Sequence, residues 1–234
     1  MHIVITGPNS CINEWAEQCG PSGHHLYAAF NEQDAPLRNT VFPFSEEVAP
    51  AVELIVDLKM ENAVAKASPL DTLCIMTRQD VPMLSNTVLV TSTELAKHLR
   101  FPDILVGMAY LPTLLSGKTV ELSLPHHSEG RKLDSIREFF CTIGKDVSVV
   151  ADYPGMVFPR VLATIINEAV WTLQQGVADE AVIDTAMKLG VNYPEGPLTW
   201  GRKIGFGNVL LLLQTLQTEF GDDRYRPAPL LKKL

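Results

Sequence analysis

Val149-Val150-Ala151-Asp152-Tyr153-Pro154-Gly155 separates two rhythms of sequence. Upstream, short apolar runs alternate with turn residues. The expected strands are 2–6, 25–30, 52–58, 72–76, 88–91, 104–110, 119–124 and 147–150. They are rich in β-branched residues, and several are apolar throughout, as a sheet covered on both faces requires. Helices are expected at about 10–18 and 128–143, the second carrying Leu133, Ile136, Phe139 and Phe140 at helical spacing. Strands alternating with helices imply an α/β domain over residues 1–150.

Downstream, over residues 151–234, the pattern is helical only. Val157, Val161, Leu162, Ile165, Ile166, Ala169, Val170 and Leu173 form one stripe of 3.6 period, closed by Gly176. A second helix is expected from near Asp179 to Gly190, with Val182, Ile183, Ala186 and Met187 facing inward. Tyr193-Pro194-Glu195-Gly196-Pro197 reads as a stiff turn. A third helix is expected at roughly 205–220, and its run 209–213 is apolar all round, as a bundle or an interface demands.

Composition excludes several classes. With 234 residues, 46% hydrophobic and 20% charged, the chain can bury a core without a disulfide or a metal staple. Its longest aliphatic run, 209–213, is far below the ~20 residues of a membrane span. The start, Met1-His2-Ile3-Val4, has no basic region and no cleavage site, so no secretory signal is expected. Nineteen basic against 27 acidic side chains give −8, a charge that repels phosphate backbones and argues against nucleic acid as a partner. Cys11, Cys19, Cys74 and Cys141 form no C-x-x-C pair and read as four reduced, buried cysteines of a cytoplasmic protein. No zinc spacing, Walker loop or Ser-His-Asp order is present.

The second half carries motifs in a telling order. Asp152-x-Pro154-Gly155 is followed by Arg160, Asn167-Glu168-Ala169, Gly176-Val177-Ala178, Ile183-Asp184-x-Ala186-Met187, Gly190 and Pro194-x-Gly196-Pro197. The ending is Gly221-Asp222-x-Arg224-Tyr225-Arg226-Pro227-x-Pro229-Leu230-Leu231. This resembles the C-terminal helical domain of the 3-hydroxyacyl-CoA dehydrogenases, and most of all the degenerate second half of the long bacterial enzymes, which carry that domain twice. The resemblance implies a Rossmann domain for NAD, reduced here, followed by an all-α domain that makes a homodimer and closes the acyl-CoA cleft. In the family a histidine removes the hydroxyl proton while hydride leaves for NAD, and a glutamate orients that histidine.

Matched position by position, the chemistry thins out. Gly7-Pro8-Asn9-Ser10-Cys11-Ile12 keeps the first glycine of G-x-G-x-x-G, but Asn9 and Ile12 replace the second and third. The loop reads as a degenerate Rossmann turn, leaving Gly7, Glu61 and Lys66 as the positions that match NAD contacts. Glu32 and Asp34 lie near the ribose-binding acid but out of register, and residues 31–51 are too short and proline-rich for the usual next helix and strand. Gly107-Met108-Ala109-Tyr110-Leu111-Pro112 fits the catalytic strand, with Ala109 where the family has histidine. Glu121 matches the orienting glutamate. Ser92 is nearest the family's substrate serine, although strict register points to Glu94. Pro159 replaces the asparagine before Arg160. His24, His25, His98, His126 and His127 show no acid partner in the sequence.

Three readings follow from the residues. The first is a catalytically impaired member of the family, dimerising with or completing the cleft of a catalytic dehydrogenase subunit. The second is a working NAD-dependent oxidoreductase with relocated chemistry. The third is a binding module for acyl-CoA that performs no turnover.

Overall fold

The computed structural model describes residues 1–112, 115 and 117–234. It divides into two compact units, Met1–Met156 and Val157–Leu234.

The first unit is built on an eight-stranded sheet. Its strands are β1 (His2–Thr6), β2 (His25–Ala28), β3 (Val41–Pro43), β4 (Leu54–Asp57), β5 (Met83–Asn86), β6 (Leu105–Met108), β7 (Thr119–Ser123) and β8 (Asp146–Val149). Their order is β3-β2-β1-β4-β5-β6-β7-β8. Among the described residues only the β6–β7 pairing is antiparallel. The chain leaves β1 toward β2 and β3 and returns on the other side as β4. That reversal is the topological switch point, where Rossmann-like sheets bind ligands at their carboxyl ends.

Alternate side chains face opposite layers. Ile3 and Ile5 point to one face, with Ile12 and Trp15 of α1 (Asn9–Cys19) and Phe139 and Phe140 of α4 (Leu133–Thr142). Val4 and Ile55 point to the other, with Leu70 and Leu73 of α2 (Ala63–Met76) and Leu95 of the short α3 (Ser92–Ala96).

Two expected strands are absent, for a common reason. Residues 72–76 belong to α2, whose buried positions Ala63, Lys66, Ala67, Leu70, Leu73 and Cys74 have helical spacing. A lysine within the stripe hides that periodicity. Residues 88–91 are not a strand, and β5 lies earlier, at Met-Leu-Ser-Asn. Ser85 and Asn86 are polar, yet fully buried. β3 follows β2 with no α-helix between them. Three cysteines are buried, but Cys141 is exposed, contrary to the expectation of four. Burial pushes the Cys19 and Cys74 thiols up to about 12.

The second unit comprises α5 (Phe158–Gln174), α6 (Glu180–Val191), α7 (Pro197–Ile204) and α8 (Phe206–Phe220). Motif residues hold it together. Asn167 on α5 donates to the Arg226 carbonyl at 3.0 Å and accepts from the Ala228 N–H at 2.8 Å, pinning the tail. Arg160 donates to the Tyr225 hydroxyl at 2.9 Å and lies 4.1 Å from the centre of the Phe220 ring. Asp184 accepts the N–H groups of Leu198 and Thr199, closing the first turn of α7. Two expectations change. Leu211 is exposed, so α8 is not covered all round. On α6 only Ile183 is buried, while Val182 and Ala186 face outward.

One buried ion pair fastens β4, α2 and β5. Lys66 Nζ lies 2.5 Å from Asp57 Oδ2, and both side chains are 2% exposed or less. Ser85 Oγ donates to the same oxygen at 2.6 Å. Removing one member leaves an uncompensated buried charge. Lys66→Met is expected to destabilise the unit by about 3–5 kcal/mol in denaturant unfolding. Combining it with Asp57→Leu should recover most of that loss.

Candidate functional site

The carboxyl ends of β1, β4, β5 and β6 gather the residues with chemical potential. β1 runs into Gly7, whose φ of +140° is a conformation that L side chains rarely adopt. A Cβ there would also lie 2.9 Å from Leu58 Cβ. The loop thus crosses directly over the residue that follows β4, as the first glycine of a dinucleotide turn does.

Beyond Gly7 the resemblance to that turn ends. The Asn9 N–H donates to the Glu32 carbonyl at 2.9 Å. Ser10 donates its N–H to Asp34 Oδ1 at 3.2 Å and its hydroxyl to Asp34 Oδ2 at 2.5 Å. The buried Asn9 side chain donates to the Ala35 carbonyl at 2.6 Å and accepts from Asn31 Nδ2 at 2.5 Å. Loss of hydration alone would raise the Asp34 carboxyl, but hydrogen bonds from the Ser10 hydroxyl and N–H outweigh it and hold the group below its ordinary 3.8. Its stabilising effect is therefore present at neutral pH and is lost as pH falls through the folded value. A pyrophosphate needs the N–H groups at this helix start and an open approach over the loop. The residues present do not fit it, because the chain's own carbonyl and carboxylate already hold those donors.

Of the other expected cofactor contacts, Lys66 is turned away. Lys66 points inward to Asp57 and Ser85. A helical position within the buried stripe of α2 puts its ammonium inside the unit. Glu61 is half-buried in the loop before α2, where the adjacent Asn62 caps the helix by accepting from the Ala65 N–H at 3.0 Å.

The strand leading into Ala109 pairs with the strand carrying Glu121. Antiparallel pairing sets Gly107 opposite Ser123 and Met108 opposite Leu122. The Ala109 N–H then donates to the Glu121 carbonyl at 3.0 Å. Ala109 and Glu121 thus stand side by side, both half-buried. This contact is between backbone groups, and the side chain at 109 is a methyl group.

Ser92 lies elsewhere than expected. It is the first residue of α3, completely buried, since the strand before it ends at Asn86. Asp152 Oδ1 accepts the Ser92 N–H at 2.7 Å, and Asp152 Oδ2 accepts the Thr93 N–H at 2.8 Å. Ser92 Oγ is 2.6 Å from Ser123 Oγ, which donates to Asp152 Oδ1 at 3.1 Å. The Gly155 N–H donates to the Val88 carbonyl at 2.7 Å. Asp152-x-Pro154-Gly155 therefore ties the end of the first unit to its sheet edge. The sequence pattern gives no sign of this cluster, because its members are scattered over three segments of the chain.

The histidines are engaged individually. His98 does have an acid partner, Glu94 one turn earlier at 3.3 Å, contrary to the sequence reading. His24 bonds the Thr142 hydroxyl at 2.7 Å and the N-terminal amine at 3.2 Å. His126 and His127 are exposed after β7. Among the described residues, no group of three His, Cys, Asp or Glu side chains is placed to hold a metal ion. No described helix is long and apolar enough to cross a membrane.

A Cβ on Gly107 would lie 2.0 Å from Ser92 Oγ, 2.5 Å from Thr87 Oγ1 and 2.6 Å from Ser123 Oγ. Gly107→Ala is expected to cost about 1–3 kcal/mol in urea unfolding through overpacking.

Comparisons with known proteins agree with this architecture. Residues 155–234 match the family model of the 3-hydroxyacyl-CoA dehydrogenase C-terminal domain. The 3-hydroxyadipyl-CoA dehydrogenase of Escherichia coli (strain K12) is 40% identical over 158 residues, covering 68% of this chain and 32% of that protein. A 3-hydroxybutyryl-CoA dehydrogenase of Clostridioides difficile is 35% identical over 183 residues, covering 78% and 65%. The chain thus spans less than two thirds of either relative's length. The crystal structure of (S)-3-hydroxybutyryl-CoA dehydrogenase from Ralstonia eutropha superposes with a TM-score of 0.80 at 25% identity, covering 99% of this chain and 92% of that one.

Proposed function

We propose, for a chain that belongs to the 3-hydroxyacyl-CoA dehydrogenase family, the role of a non-catalytic member that dimerises and completes an acyl-CoA cleft for a catalytic dehydrogenase subunit. The observation that carries this reading is Ala109 beside Glu121. Alanine cannot accept the hydroxyl proton, and a general base contributes typically about 10²–10⁴-fold in rate. The ill-fitting nucleotide loop points the same way.

The partner role rests on the second unit. Val177 and Val182 are 70% and 54% exposed, and Leu189 on α6 is 82% exposed. Between α5 and α6 lies an apolar pocket of about 370 Å³, lined by Ile165, Ala169, Val182, Ile183 and Met187 among others. Apolar surface of this kind is usually covered by a partner. A second copy of the chain and a catalytic subunit are its proposed occupants. The free cysteines suit the cytoplasm.

Purified protein is expected to give no measurable reduction of acetoacetyl-CoA with NADH or NADPH. Robust turnover abolished by Glu121→Ala would overturn the non-catalytic reading in favour of relocated chemistry. Light scattering should report twice the 25.8 kDa chain mass. A mass near that of one chain would count against the dimer.

A further inference from the structure

The segment after β2 lies along the start of α1 as a strap. Phe30 turns it with a φ of +48°. Its carbonyl accepts from the Thr6 hydroxyl at 3.2 Å. Pro8 and Glu32 form a parallel bridge, and the Glu32 N–H donates to the Gly7 carbonyl at 3.0 Å. The strap is then fixed by Asp34 to Ser10 and by Asn9 to Asn31 and Ala35. Further along, Asn13 Nδ2 donates to the Pro36 carbonyl at 2.9 Å and Asn13 Oδ1 accepts the Arg38 N–H at 3.0 Å. Arg38 also pairs with Glu17 on the next turn of α1.

We infer that this strap is a built-in substitute for the pyrophosphate of a dinucleotide. The Asp34 carboxylate supplies the negative charge and the acceptors that a phosphate brings to a helix N-terminus. The Glu32 carbonyl takes the adjoining N–H. The Asn9 side chain fills the approach that glycine keeps open in a dinucleotide turn. The first unit is therefore complete without a cofactor, and it takes neither NAD(H) nor NADP(H). The contacts are made by residues that the missing base does not involve, so this inference stands independently of the proposed function.

Thermal unfolding and NADH fluorescence titration test it on the full chain. At about 1 mM, a cofactor with a Kd of about 10 µM would raise the unfolding midpoint by roughly 5–10 °C. The wild-type midpoint is expected to stay unchanged with NAD, NADH or NADPH, with no enhancement of NADH fluorescence. Asp34→Ala should lower the midpoint and open the helix start, so that inorganic pyrophosphate stabilises the variant but not the wild type, at matched ionic strength. Should that variant not fold, Asp34→Asn keeps one acceptor, loses the charge, and should show the same selective rescue more weakly. A cofactor-induced rise in the wild type would overturn the inference, even in a protein with no turnover. So would pyrophosphate stabilising wild type and variant equally, or stabilising neither.

Discussion

The first turn of a helix presents N–H groups with no partner inside the helix, and something must accept them. This chain answers with carboxylates drawn from elsewhere in the sequence. Asp34 serves α1, Asp152 serves α3 and Asp184 serves α7. Each bond is charge-assisted and directional, so it also sets where the donating segment lies. Asp34 draws the segment after β2 over the switch point. Asp152 fastens the end of the first unit to the carboxyl edge of the sheet. Asp184 fixes α7 against α6. The path of the chain around these helix starts is set largely by where its acids are.

The consequence for function lies in what such a helix start can still do. A free N-terminus at the switch point is an anion site, whereas one already closed by an internal carboxylate is a structural joint. The same conversion appears in the buried pair of Lys66 and Asp57, where a cation that could meet a phosphate instead holds two strands and a helix together. In β6 and β7 the antiparallel pairing places Ala109 beside Glu121.

Much of the fold was legible because burial patterns repeat. The inner strand β1 and the long helix α5 announce themselves by a continuous apolar run and by a 3.6-residue stripe. The errors cluster where buried residues are polar. Lys66 interrupted the stripe of α2, and Ser85 and Asn86 disguised β5, so a helix read as a strand and a strand was placed five residues late. A strand over 88–91 would put Ser92 at its end, whereas Ser92 opens α3. On α6 the apolar spacing predicts an inward face, but periodicity reports only that a face is apolar, not what covers it.

By itself, the sequence determined the two-part organisation, the family resemblance of the helical half and the identities of Gly7, Asn9, Ile12 and Ala109. These are properties of residue identity and local spacing. The tertiary structure alone decided that Asp34 reaches Ser10, that Lys66 turns inward to Asp57, and that Ser92, Ser123 and Asp152 meet around Gly107. Those contacts join residues from 9 to 60 positions apart in the chain. The pairing of a buried polar group depends on which segments the sheet order brings together, and no local period encodes that order.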